Sequence, residues 1–292
     1  MALPYNDEEA RVLDEHLELK IGGNWRNLDQ VYVKSGGQWR TSKQVYIKQG
    51  GSWRTIHNSD VFRFKVTLNG NTNSTFNLSN WLSGQGWNGS QTIKGVVETN
   101  RYQGGNTAMN LGNINGRVYL KINSGRRIQG RGGNGGNRGG TNGGGGSTGL
   151  YTRTSVAIRN DGLLAGGGGG GGGGNNGTCN ATANYQYGCM KGSQCQGSYQ
   201  YSYGVNGGGG GGGAGLPGGS GSGGGGNGNA DGGGGGGGSS GCGSNGGGSG
   251  GGIGQNGQNS SYSGGTRGAY IDGASYVYSW ITTGDRRGRS IN

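Results

Sequence analysis

GRGGNGGNRGGTNGGGG, residues 130–146, is the stretch whose conformation decides the fold of this chain. A glycine run has three physical fates. A flexible linker is the usual one. Collagen requires glycine at every third position and abundant proline, and here proline occurs only at Pro4 and Pro217. The third fate is a bundle of glycine helices of the polyproline-II type, with three residues per turn and a rise of about 3.1 Å per residue. Such a helix makes no internal hydrogen bonds, so its amides and carbonyls must pair with neighbouring helices. Without a Cβ the backbones approach closely enough to do so, assisted by Cα–H···O contacts. Ordering costs roughly 1–2 kcal/mol of backbone entropy per residue, so a single run stays disordered while several packed runs offset one another's cost. Arg131, Asn134 and Asn137 recur at period three, and Arg138 and Thr141 continue the period after a shift of one residue. That spacing lines side chains along one edge of a threefold helix and turns glycine toward the neighbours. Packed helices are the expectation.

Further runs occupy 162–177, 207–213, 218–228, 232–238 and 246–254, similar in length as the members of one bundle should be. Residues 130–268 hold 63 of the 82 glycines, against an ordinary usage of about 7%. The bias is therefore regional, and more conventional sequence flanks it.

Residues 1–20 read as an amphipathic helix, with Asn6 as its cap, Glu9 completing a capping box, and Val12, Leu13, His16, Leu17 and Leu19 on its apolar side, His16 as a packing residue. A repeat follows: Gly22-Gly23-Asn24-Trp25-Arg26 recurs at Gly36–Arg40 and Gly50–Arg54, 14 residues apart each time. Val31-Tyr32-Val33-Lys34 and Val45-Tyr46-Ile47-Lys48 precede Gly-Gly pairs, which predicts hairpins. Trp25, Trp39 and Trp53 are either the core of a tiny β module or anchors for a partner. Beyond the repeat, Phe62, Phe64, Val66 and Leu68 alternate with polar residues as a half-buried strand does, and 91–98, 107–111 and 117–123 are further strand candidates. Residues 77–87 suit a helical turn and an apolar cap. Strand character returns at 269–271 and 276–281, with Asp272-Gly273 as a turn. The expected fold is mainly β and irregular. Its parts are an N-terminal helix and tryptophan-repeat attachment module (1–58), a β domain (59–129), a polyglycine-II helix sandwich with distal loops (130–268) and a C-terminal strand segment (269–292).

Residues 21–292 carry 23 basic and 7 acidic side chains, which favours an anionic partner without choosing one. Arg131-Gly132-Gly133 and Arg138-Gly139-Gly140 invite an RGG-type nucleic-acid reading, yet two such units without interleaved aromatics are too few. An antifreeze-like glycine bundle explains the helices but neither the tryptophan repeat nor the tyrosines. Two histidines, His16 and His57, and few late carboxylates form no triad or metal cluster, so no catalytic residue, metal or cofactor is expected. No glycine run ends in the GKS or GKT of a phosphate-binding loop. No apolar run approaches the roughly 18 residues that span a membrane, and Met1-Ala2-Leu3-Pro4 does not open a secretion signal. Cys179, Cys189, Cys195 and Cys242 lack zinc-site spacing. A disulfide within the segment holding the first three is one option, and free thiols, as made in a reducing cytoplasm, are the preferred one.

Gly86-Trp87-Asn88-Gly89-Ser90, Val118–Gly125 leading into Ile128–Gly136, and the closing GGTRGAYIDGASYVYSWITTGDRRG (264–288) together resemble the small adhesins that cap the long tail fibres of T2-type (T-even) phages. The likeness covers about 60–288 and combines three separated motifs in order; the tryptophan repeat departs from the family's pattern. The resemblance implies a virion protein at the fibre tip whose distal loops touch an outer-membrane protein of a Gram-negative host, with lipopolysaccharide a further possibility and nucleic acid excluded. The N-terminal module, through Trp25, Trp39 and Trp53, is expected to dock a trimeric fibre protein. The expected receptor-binding residues are Tyr185, Tyr187, Lys191, Tyr199, Tyr201 and Tyr203 of a loop at 178–206, joined by Tyr151 and Arg153 of a loop at 147–161 and Tyr262 of a loop at 255–263. Tyrosine offers large contact area at low rotamer cost, and small polar neighbours adapt their hydrogen bonds.

Overall fold

A computed structural model describes residues 18–21, 24–27, 31–42, 44–58, 60–188, 194–230 and 234–292. Most of the helix expected over 1–20 lies outside them, and its last residues instead begin strand β1. Three antiparallel hairpins open the chain: β1 (Glu18–Ile21) with β2 (Asn24–Asn27), β3 (Val31–Ser35) with β4 (Gln38–Ser42), and β5 (Gln44–Gln49) with β6 (Ser52–Asn58). Gly36 and Gly37 turn at φ 60° and 81°, Gly50 and Gly51 at 58° and 83°. Both central turn positions are left-handed, which glycine adopts without a Cβ penalty. The registers are identical in kind: Lys20 faces Trp25, Lys34 faces Trp39 and Lys48 faces Trp53.

The strands that follow are β7 (Val61–Leu68), β8 (Phe76–Asn77), β9 (Thr92–Thr99), β10 (Tyr102–Gln103), β11 (Thr107–Asn110), β12 (Gly116–Ile122), β13 (Arg127–Gln129), β14 (Thr148–Tyr151), β15 (Ser155–Asn160) and β16 (Leu163–Ala165). After them come β17 (Gly177–Gly188), β18 (Gln194–Val205), β19 (Ala269–Asp272), β20 (Val277–Thr282), β21 (Asp285–Arg287) and β22 (Arg289–Ile291). All except β17 and β18 belong to three parallel sheets, ordered β7-β9-β12-β15-β20, β10-β13-β16-β21 and β8-β11-β14-β19-β22. Each coil contributes one strand to each sheet in turn, so the chain winds as a three-sided parallel β-solenoid. An isolated Thr72–Gln103 bridge supplies the first coil's place in the second sheet.

The solenoid's interior explains the alternation. Phe64, Val66, Leu68, Ile93, Val97, Val118, Leu120 and Ile122 point inward from the first sheet. Ile128 and Leu164 meet them from the second, and Phe76, Met109, Leu150 and Ile271 from the third. Helix α1 (Leu78–Gly84) buries Leu78 and Leu82 against this core, and Asn77 caps it by accepting from the Asn80 amide at 3.0 Å. Gly95 interrupts β9 for a steric reason: a Cβ there would lie 2.4 Å from the Phe64 ring.

Here the structure departs from the domain boundaries read in the sequence. Residues 148–165 form β14, β15 and β16, and 269–291 pair beside them, so both belong to the same solenoid as 61–129. Leu150, Val156, Ile158 and Leu164 complete its core. The glycine-rich sequence is thus two excursions, 130–147 and 166–268, leaving one corner of the solenoid on consecutive coils.

Among the described residues of these excursions, ten segments have neither helix nor strand assignment: 130–139, 141–147, 166–174, 207–215, 217–222, 224–229, 234–238, 246–254, 255–259 and 262–268. The buried run 166–174 shows how they cohere. Its amides rotate through three neighbours: Gly167, Gly170 and Gly173 donate to Ser147, Gly144 and Thr141; Gly168, Gly171 and Gly174 to Ala214, Gly211 and Gly208; Gly169 and Gly172 to Gln255 and Gln258. Its carbonyls accept from three more, the segments 130–139, 246–254 and 262–268. Run 207–215 is likewise ringed by six segments and buried. Every direction around these two runs is occupied by backbone. A Cβ on Gly167, Gly169, Gly170, Gly171 or Gly172 would lie 1.9 Å from a neighbouring carbonyl oxygen, so no side chain fits.

Candidate functional site: the distal end and its tyrosine hairpin

The glycine segments connect near the solenoid at one end and at five places at the other: 139–141, 174–207, 222–224, 238–246 and 259–262. The second of these carries β17 and β18, twelve residues each, paired antiparallel only with one another. Direct register decides what shares a face. Tyr199, Tyr201 and Tyr203 lie opposite Ala183, Ala181 and Cys179, while Tyr185 lies opposite Gly197 and Tyr187 opposite Cys195. All five tyrosines therefore stand on one face, and their partners are small. Their rings run as a ladder: Tyr187–Tyr185 centroids are 5.7 Å apart, Tyr185–Tyr199 6.2 Å, Tyr199–Tyr201 5.8 Å and Tyr201–Tyr203 6.0 Å. Each ring stays 44–56% exposed. Gly197 is required beneath Tyr185, because a Cβ there would sit 2.5 Å from the ring.

The opposite face holds Thr178, Asn180, Thr182, Asn184 and Gln186 across from Gly204, Ser202, Gln200, Ser198 and Gln196, with Ser202 Oγ donating to Asn180 Oδ1 at 2.6 Å. Neither strand contains a charged residue. The described residues of the five distal connections carry no charged side chain; Arg138, just before the first of them, packs over Gly223.

The hairpin's base is tied to the body. Cys179 is bonded to Cys242 of the 238–246 connection, with their Cα atoms 5.4 Å apart. This corrects the free-thiol expectation for that pair and moves the bridge out of the hairpin segment; the partner cysteine lies 63 residues on, in a connection that only folding brings close. Cys189 lies outside the described residues, as does the side chain of Cys195. The Gly207 amide donates to Asn176 Oδ1 at 3.0 Å, and Ser261 Oγ accepts from the Asn175 amide at 3.1 Å and from Asn245 Nδ2 at 2.9 Å. Tyr262 stands here too, its hydroxyl end over Gly140.

The expected site residues thus separate. Tyr185, Tyr187, Tyr199, Tyr201 and Tyr203 come together, Tyr262 lies near their base, and Lys191 falls outside the described residues. Tyr151 and Arg153 do not join them. Residues 148–151 run as a solenoid strand away from the glycine body, and the corner after it holds Arg153 against Asp272 at 2.7 Å and over the Tyr151 ring at 4.7 Å. The hydrogen bond to Asp272 raises the pKa of the Arg153 guanidinium further above its usual value. Leu150 and the Val156–Ile158 alternation were the signal that this stretch is core-facing strand. At the other end of the chain, Trp39 and Trp53 are 69% and 68% exposed; the Trp25 side chain lies outside the described residues. Lys48 Nζ lies 5.9 Å from the centre of the Trp53 ring.

No group of three metal-ligating side chains converges among the described residues, and no described helix is long and apolar enough to cross a membrane. The close-packed glycine body carries, at one end, a hairpin whose strands hold five half-exposed tyrosines and no charged residue, an arrangement suited to binding a surface, as an adhesin does. The family model for phage tail fibre adhesin Gp38 matches residues 63–291, and the chain belongs to that family. It is a receptor-binding adhesin of the virion's tail fibre tip. A crystal structure of the gp37–gp38 adhesin tip complex of the bacteriophage S16 long tail fibre is similar at 25% identity, with a TM-score of 0.51, over 78% of this chain and 82% of that one. Curated protein sequences yield no match. The family match begins after the three tryptophan hairpins.

Proposed function

We propose that this adhesin attaches the phage to a Gram-negative host by laying the tyrosine face of β17 and β18 on an outer-membrane protein, with Tyr262 and Arg138 at the edge of the contact. The carrying observation is the ladder of five half-exposed rings on a ribbon without charge. Aromatic anchors dominate binding energy where they are desolvated on contact, and a closure device alone would not leave them half in water. Tyr151 and Arg153 are left out of this surface. The glycine body is proposed to be a polyglycine-II sandwich, supported by the rotation of amide partners with period three and by the six-neighbour packing. Its close backbone packing gathers the distal connections at one end of the body at small cost in side-chain volume.

Attachment is proposed to run through the hairpins of 18–58, whose exposed Trp39 and Trp53 repeat at 14-residue spacing and would meet equivalent sites on a trimeric fibre protein. The S16 complex of a gp38 with gp37 supports a fibre partner.

Replacing all five ladder tyrosines by alanine is expected to lower host adsorption by at least about a hundredfold, given roughly 2 kcal/mol or more per anchoring residue, while the fibre still carries the adhesin. Normal adsorption by that variant sinks the receptor assignment. Trp39→Ala with Trp53→Ala is expected to release the adhesin from fibres without changing its thermal unfolding; retained attachment would move the docking surface elsewhere.

A further inference from the structure

The hairpin leaves unpaired more than its tyrosines. Among the described residues β17 and β18 pair as strands only with each other, so each also presents an outer edge of backbone amides and carbonyls. Natural proteins blunt such edges with lysine, proline, bulges or covering loops, because an open edge is a template for another strand. Here none of those devices is present. The two strands contain no charged residue and no proline, and their twelve pairs run without a register shift. Covering is confined to the base, where Gly243 lies against the Thr178 carbonyl and Gly241 against Val205. From Asn180 and Ser202 outward, neither edge has a backbone hydrogen bond to another described segment.

We infer that the edge of β18 receives an extended, uncharged segment of the receptor polypeptide as a third strand, so that recognition combines main-chain pairing with the tyrosine face. This rests on the hairpin being the receptor surface. β18 is favoured over β17 because it carries three of the five tyrosines, Tyr199, Tyr201 and Tyr203, at alternate positions. A strand added there would set its own alternate side chains beside those rings, the cross-strand contacts that stabilise sheets. The absence of charge on the ribbon, in a chain that is otherwise strongly basic, matches a neutral strand and not a phosphate-bearing glycan.

Backbone direction follows from the base. Gly243 meets the Thr178 carbonyl from outside, so Thr178 turns its backbone outward. Alternation along the strand and direct pairing then turn Ser198, Gln200 and Ser202 outward as well. Gln200→Pro removes one outward amide without touching a tyrosine, and proline is tolerated where an edge N–H faces solvent. Gln200→Ala removes the side chain and keeps the amide.

The probe is a pair of vesicle preparations from a susceptible Gram-negative strain, one with outer-membrane proteins and one with the same lipid and lipopolysaccharide but no protein. Binding of the full-length adhesin to the protein-bearing vesicles is expected to fall about tenfold in Gln200→Pro, from the lost main-chain bond and the ring's obstruction of the edge. It should stay within about twofold for Gln200→Ala. Amide exchange in the unsubstituted adhesin should slow at Ser198, Gln200 and Ser202 on binding, which tests the edge even if the proline variant loses its hairpin. Equal binding by both variants with no slowing would overturn strand addition, while a tyrosine variant that still loses binding would leave the receptor surface standing. Equal binding to the protein-free vesicles would overturn it in favour of a glycan. An adhesin dimer in solution, abolished by Gln200→Pro, would overturn it in favour of pairing between copies.

Discussion

Gly171→Ala probes the close packing that holds the glycine body together. Gly171 sits midway along the central buried run; its amide donates to the Gly211 carbonyl and its carbonyl accepts from the Gly136 amide, both at 2.8 Å. An added Cβ would lie 1.9 Å from the Gly248 oxygen and 2.4 Å from its carbon. Ordinary contact begins near 3.4 Å, so segments must part by more than an ångström. Overpacking a rigid interior costs about 1–3 kcal/mol, and each hydrogen bond stretched beyond use adds roughly 1 kcal/mol. With two or three bonds affected, the loss is about 3–6 kcal/mol, a large share of the 5–15 kcal/mol that typical domains possess. Gly236→Ala is the matched control. It is the exposed position of the segment 234–238, with nothing within 4 Å of its Cβ position and no left-handed φ. There alanine removes unfolded-state freedom and should be neutral or stabilising by about 0.4–1 kcal/mol. Urea unfolding followed by circular dichroism, at several protein concentrations, reads both. A mobile linker would treat the two substitutions alike, so equal stabilities for the two variants would refute the packed body.

Cys242→Ser should leave the solenoid's unfolding unchanged but expose β17 and β18 to proteolysis, with a cost of up to about 4 kcal/mol for freeing the closed loop; unchanged proteolysis would show that the base contacts suffice. Arg153→Ala should leave host adsorption unaltered, since its partners Asp272 and Tyr151 belong to a solenoid corner; loss of adsorption would return that corner to the receptor surface. Gln129 is fully buried and neither amide atom has a partner among the described residues, so Gln129→Met should raise stability by about 1–2 kcal/mol; destabilisation in a melt would count against that. Glu98 accepts from Asn123 at 2.9 Å and pairs with Lys121 at 3.3 Å. The Asn123 hydrogen bond, then Lys121, hold its pKa below the ordinary 4.5 against the opposing effect of burial. Its stabilisation is therefore complete above pH 4.5 and lost as pH falls through the depressed value, a dependence that Glu98→Gln should flatten in acid titrations followed by fluorescence.

Local chemistry made several elements legible. Gly-Gly after a β-branched run dictated the hairpins of 31–58, because both turn positions need positive φ. Alternation marked β7, β-branched and aromatic composition marked β9, β12 and β20, and 77–87 was readable as a helical turn. The family, too, was readable from three short motifs. Segment 178–206 read as a loop rich in tyrosine, and only the structure shows that its tyrosines alternate along two paired strands. What sequence could not supply was which distant segments meet. Residues 147–161 read as a loop, and 269–292 as a strand segment apart from 61–129, because glycine excursions separate them from the coils they complete and parallel pairing leaves no turn signal between neighbours. Cys179 found Cys242 instead of a nearer cysteine because two segments end at the same distal level. Joining both tyrosine sets into one ladder depended on the hairpin register. The alternation of side chains is set by bond geometry and is written into the chain; the pairing of separated backbones is set by packing energy, and only the folded structure decides it.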